Sequence, residues 1–132
     1  MRLGVDVMGG DNAPDEILTG CLEAVELIEE GDVVVVAGQA ELIKPAVERA
    51  GLSSSSKIEI LDTREVIAMD DSPVEAVRGK RDSSIVRLAE LASKKAPKNE
   101  RIDAWISAGN TGACVTAASM YMRRLPGVHR PG

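Results

Sequence analysis

Two hydrophobic spacings alternate along the chain. Arg2–Val7 is a short apolar run that predicts a buried strand, followed by a loop, MGGDNAP, at 8–14. Ile17, Leu18, Cys21, Leu22, Val25 and Ile28 then recur at helical intervals, predicting a helix from about Pro14 to Glu30. Pro14 suits its first turn, Asp15 and Glu16 suit its dipole, and Gly31-Asp32 ends it. Val33–Ala37 is apolar at every position, as strands buried on both faces of a parallel sheet are. A helix over about 40–50 is closed by Gly51, SSSS at 53–56 is loop, and Ile58–Leu61 predicts a third strand.

Residues 62–81 are less regular, with a short helix expected from Pro73. Asp82 or Ser83 caps a further helix to about Lys95, with Ile85, Leu88, Ala89 and Ala92 on one face. Ala104–Ser107 is the fourth strand, and a helix follows SAGNTGA (107–113) to about Arg124, where LPGVHRPG stops it. Strands alternating with helices predict an α/β class with a mostly parallel sheet and helices on both faces, a three-layer α/β/α arrangement. No capping element follows the last helix, so the chain reads as the front part of something larger.

Composition narrows the function. With 44% hydrophobic and 28% charged residues the chain is an ordinary globular one, and with no Phe, one Trp and one Tyr its core must be aliphatic. The scarcity of aromatic platforms, and a net charge of −5, argue against nucleic acid as a partner. Cys21 and Cys114 are the only cysteines, which fits a reducing compartment better than a disulfide framework. The N-terminus is not a signal peptide, and VVVVA at 33–37 is too short to span a bilayer.

Ligands of open parallel sheets bind beyond the carboxyl ends of the strands, so the loops after the first and fourth strands are the places for chemistry. Neither is a nucleotide motif. MGGDNAP has Asp11, Asp15 and Glu16 at or near it, which would repel a phosphate; Asp6 stands at its strand end, and Asp11 and Asn12 could orient a substrate by hydrogen bonds. SAGNTGA has no acid, and its glycines and helix-start N–H groups suit an anion, with Ser107, Asn110 and Thr111 as side-chain donors. Each loop also has a plain reading, as a turn and a helix cap. Arg78, Lys80 and Arg81 form a cationic group that suits an anionic substrate, an acidic partner or simply a solvated helix end. Cys114 has only small apolar neighbours and fits packing; the single histidine, His129, gives weak support to a Ser-His or Cys-His mechanism, and no metal-ligand spacing occurs.

Three stretches in this order, VDVMGGDNAP (5–14), VIAMDDSPVEAVRGKRDSS (66–84) and SAGNTGA with LPGVHRP beyond it, closely resemble the bacterial phosphate acyltransferase family of fatty acid and phospholipid synthesis. The resemblance covers nearly the whole chain. It implies transfer of a long-chain acyl group from acyl carrier protein to inorganic phosphate, giving acyl phosphate for the first acylation of glycerol 3-phosphate, with no cofactor and no metal. It implies a fold similar to isocitrate and isopropylmalate dehydrogenases, a homodimer, and a cytoplasmic protein associated peripherally with the inner membrane face. Family members run to more than twice this length, so residues 1–132 are expected to be the N-terminal portion of one acyltransferase domain, inactive alone.

By the resemblance, Ser107, Gly109, Asn110, Thr111 and Gly112 become the phosphate cradle, with Asn110 and Asp6 as catalytic residues. Gly9, Gly10, Asp11 and Asn12 become the facing wall of the cleft. Arg78, Lys80, Arg81 and Ser83 become contacts for anionic substrate or carrier protein. Two other readings stand beside this one: a phosphotransacetylase-like enzyme using acyl-coenzyme A, and a non-catalytic module docking carrier protein or membrane.

Overall fold

The computed structural model describes residues 1–129. Four strands, β1 (Arg2–Asp6), β2 (Val33–Gly38), β3 (Ile58–Asp62) and β4 (Ala104–Ser107), form an all-parallel sheet in the order β3-β2-β1-β4. The helices are α1 (Asp15–Ala24), α2 (Ala40–Arg49), α3 (Pro73–Gly79), α4 (Ser84–Leu91) and α5 (Thr111–Ala117), the last extended by a π-helical turn over Ala118–Met122.

The apolar run of β2 explains the layering. Successive side chains alternate between faces. Val34 and Val36 pack with Leu18 and Cys21 of α1 and Ile43 and Val47 of α2. Val35 and Ala37 face the other way, against Leu88 of α4 and Ile102. A third cluster, including Ala76, Val77, Ile85, Val86, Ala113 and Ala117, joins α3, α4 and α5 outside the sheet. The expected aliphatic α/β/α sandwich is therefore present. Leu88 is fully buried, and its truncation to Ala would cost about 2–5 kcal/mol.

Two helices are shorter than their periodicity predicts. The first was expected to reach Glu30, but regular helix stops at Ala24. Beyond it, Lys57 Nζ draws the carbonyls of Val25 and Ile28 away as acceptors at 3.4 and 2.7 Å. The helix expected to run to Lys95 ends at Leu91, where Ser93 and Ala96 close tight turns instead. After Met122 the chain leaves helical geometry at Arg123, with φ 68°, so the last helix stops just short of the expected Arg124. His129 is exposed, and the final RPG lies outside the described residues.

The chain passes from β1 outward to β2 and β3, then returns through α3 and α4 to place β4 on the other side of β1. The strand order thus reverses between β1 and β4. At such a switch point the loops following the two strands diverge and leave a crevice at the carboxyl edge.

Candidate active site

The two loops singled out by sequence meet at this switch point. A Cβ added to Gly9 would lie 2.8 Å from the Cα of Gly109, so the two backbones touch. Gly10, at φ 119°, lies beside Ala108, whose Cβ would stand 3.2 Å from a Cβ added there. No side chain fits at Gly9, which accounts for the bareness of both loops.

Asp6 lies beneath the contact and is 1% exposed. Its Oδ1 accepts the hydroxyl of Ser84 at 2.6 Å and the N–H of Met8 at 3.0 Å; its Oδ2 accepts the Ser107 hydroxyl at 2.7 Å. Ser107 Oγ in turn accepts the N–H of Gly109 at 3.0 Å. One carboxylate therefore ties the end of β1, the start of α4 and the β4–α5 loop together. A buried carboxylate with three donors is satisfied, and those donors tie Asp6 to Ser107 and, through it, to the Gly109 N–H.

Asn110 lies at the end of the same loop. It is the N-cap of α5, with Oδ1 accepting the Ala113 N–H at 3.0 Å. Its Nδ2 donates to the carbonyls of Ala68, Met69 and Asp71 at 3.1, 3.3 and 3.1 Å. Both amide protons are committed to the 68–71 loop, so Asn110 holds that loop in place. Helix geometry leaves the N–H groups of Thr111 and Gly112 without intrahelical acceptors. Gly112 has a second reason to be bare: a Cβ there would lie 2.6 Å from Pro73 of α3.

All three sequence blocks border one cleft of about 350 Å³, through Gly10, Asp11 and Asn12, through Met69, and through Ala108. Asp11 and Asn12 are exposed on its wall, and Asn12 donates to Glu16 at 2.8 Å. The cationic group expected from Arg78, Lys80 and Arg81 is dispersed. Lys80 pairs with Asp71 and donates to the Val66 carbonyl at 2.9 Å, strapping the 66–71 loop from below. That pairing, with help from the Ala68 N–H, holds the Asp71 carboxyl below its ordinary range. Arg81 lies 5.9 Å from the Tyr121 ring and 3.8 Å from Glu90. Arg78 is exposed on α3, and Ser83 is buried with its hydroxyl donated to the Lys80 carbonyl at 2.8 Å.

Ser84 is the residue sequence reasoning passed over. It stands four positions before Leu88 on the sheet-facing side of α4, and a polar residue on that apolar stripe is the signal that marks it. Cys114 offers no ready nucleophile: burial pushes its thiol above the ordinary value, the Asp6 charge adds to this, and the Ser107 hydroxyl opposes it. Burial alone pushes Cys21 up to about 11. Among the described residues no group of three or more His, Cys, Asp or Glu could hold a metal, and no helix is long and apolar enough to cross a membrane.

A doubly wound α/β sheet with two glycine-rich loops pressed together at its switch point has the geometry at which proteins of the open-sheet class bind small ligands. The chain belongs to the fatty acid synthesis protein family, whose model matches residues 1–132. It is 39% identical over 131 residues to a phosphate acyltransferase of Heliobacterium modesticaldum, covering 99% of this chain and 37% of that protein. It is 40% identical to the phosphate acyltransferases of Thermoanaerobacter pseudethanolicus, over 132 residues, and Bacillus pumilus, over 131 residues, covering 99% of this chain and 36% of each relative. The chain thus spans a little over a third of the length of these relatives.

Proposed function

We propose that the full-length protein is an acyltransferase that moves a long-chain acyl group from the thioester of acyl carrier protein to inorganic phosphate. The observation that carries this reading is the acid-free SAGNTGA loop, fixed at the switch point by the Asp6–Ser107–Gly109 chain of hydrogen bonds. Membership of a fatty acid synthesis family, and relatives named phosphate acyltransferase, supply the acyl group and the phosphate. The N–H groups of Thr111 and Gly112 would hold the anion, helped by the helix dipole.

A phosphate oxygen attacks the thioester carbonyl; the C–O bond forms, the C–S bond breaks, and the carrier leaves as thiolate and takes up a proton. The protein's share is orientation and stabilisation of the developing oxyanion. A covalent enzyme intermediate is unnecessary, in keeping with a Cys114 thiol that burial pushes above its ordinary value.

The remaining length of the protein completes the domain in this reading. β4 is a sheet edge, with Ile106 57% exposed, and a largely apolar hollow of about 590 Å³ lies between it and Val115, Ala118 and Met122. An open edge of this kind calls for cover, which the rest of the protein supplies in this reading; the same proposal includes an isocitrate dehydrogenase-like whole, dimeric and peripherally membrane-associated in the cytoplasm, of which residues 1–132 form the N-terminal part. The test is phosphate-dependent release of carrier thiol from a long-chain acyl carrier protein by the full-length protein. Absence of acyl phosphate would reject the proposal.

A further inference from the structure

We propose that the polar hollow at the carboxyl ends of β2 and β3 receives the neutral amide-and-hydroxyl arm that bears the acyl thioester, the pantetheine chemistry common to carrier proteins and coenzyme A. The inference rests on the acyl-transfer reading and says where that donor's arm lies. The hollow is about 430 Å³ and is lined by Gln39, Ala40, Glu41, Asp62, Thr63 and Arg64. None of these residues belongs to the three motif blocks.

Thr63 points to a ligand. It is 1% exposed, and its hydroxyl has no hydrogen-bond partner among the described residues. A buried hydroxyl left unpaired costs about 1–3 kcal/mol, and here it borders an open polar space. Gln39 is at the N-cap of α2, yet its side chain makes no cap bond, which leaves an amide donor and acceptor beside the hollow. Arg64 is exposed and, among the described residues, forms no ion pair.

Charge selects the ligand class. The first N–H of α2 is already taken, from Ala40 to Asp62 Oδ1 at 2.9 Å. With Glu41 beside it, two carboxylates face one guanidinium, so a phosphate would be repelled. The lining is polar, so an acyl chain would be poorly solvated there. What remains is an uncharged group with both donors and acceptors, which is what amides and hydroxyls provide.

Position supports the same occupant. β2 adjoins β1, so the hollow opens on the same carboxyl edge as the Asp6–Ser107 crevice. Strand spacing puts the two roughly 10 Å apart. An extended arm anchored at Thr63 would pass Met8, which packs against Gly38 at the end of β2, and deliver its thioester to the crevice.

The test uses the full-length protein, inorganic phosphate and three donors: acyl-pantetheine, acyl-coenzyme A and acyl carrier protein. Thr63→Val keeps the shape and removes the hydroxyl. Because that hydroxyl has no partner among the described residues, Tm should hold or rise. The KM for all three donors should rise about five- to tenfold, the worth of one hydrogen bond, with the phosphate KM unchanged. Arg64→Ala, at an exposed position, should raise the donor KM in the same pattern. A lowered Tm in Thr63→Val, or unchanged donor KM in both variants, would overturn the proposal. A KM rise confined to acyl-coenzyme A would also overturn it, since the hollow would then read the nucleotide. Failure of the unmodified protein to make acyl phosphate from any donor would bring down the acyl-transfer reading itself, and this inference with it.

Discussion

Gly9 and Gly109 stand backbone against backbone, joining the loops after β1 and β4 where the sheet changes direction. A methyl group on Gly9 would lie 2.5 Å from Asp6 Oδ2 and 2.8 Å from the Gly109 Cα. Gly9→Ala should therefore destabilise by about 1–3 kcal/mol and abolish phosphate use in the full-length protein. Gly20→Ala is the matched control: nothing lies within 4 Å of that position in α1, and the change should stabilise by about 0.5–1 kcal/mol. Urea unfolding of the two variants checks both signs.

Ser84 should matter although it belongs to neither loop. Ser84→Ala leaves Asp6 Oδ1 with the Met8 N–H alone. Losing a hydrogen bond to a buried carboxylate should cost about 1.5–3 kcal/mol. Combined with Ser107→Ala the losses should be non-additive, because both hydroxyls serve one carboxylate. Simple addition in a double-mutant cycle would show that Asp6 does not couple the two elements.

Asn110→Asp should act through the 68–71 loop. The new oxygen would face the carbonyl oxygens of Ala68, Met69 and Asp71, where the amide now donates. A loss of about 1–3 kcal/mol is expected, with faster amide hydrogen exchange across 66–71. Unchanged exchange there, together with an unchanged phosphate KM, would contradict this placement.

The Lys80–Asp71 strap sets a pH dependence. The Asp71 carboxyl is held below its ordinary range in the fold, chiefly by Lys80. Its contribution is therefore complete above the ordinary carboxyl pKa and disappears as the pH falls through the lowered folded value. Both side chains are partly exposed, so salt should weaken the effect. Protease cleavage within 66–71 should rise in acid, and Lys80→Met should remove most of that change. Cleavage that follows pH equally in both proteins would refute the strap.

The order and type of every element were legible because their signals are local: four valines in β2, and helical spacing in α1, α2 and α4. The two site loops were legible from glycine and from the presence or absence of acids. What sequence did not reveal was made by distant partners. Lys57 shortens the predicted first helix from 29 residues beyond Ile28. Ser84 reaches Asp6 across 78 residues, and Asn110 spends its amide on a loop 39 to 42 residues away. Arg78, Lys80 and Arg81 adjoin one another in sequence, yet Lys80 turns to Asp71 while Arg81 turns to Tyr121 and Glu90. Local pattern placed the backbone of the site, while tertiary contacts assigned its side chains.

The most direct measurement is acyl phosphate formation by the full-length protein, supplied with long-chain acyl carrier protein and followed as phosphate-dependent thiol release. Acyl transfer at the switch point predicts acyl phosphate and free carrier thiol in equal amounts, dependent on phosphate and lost in Gly9→Ala. Thiol release that proceeds without phosphate, or survives unchanged in Gly9→Ala, would contradict it.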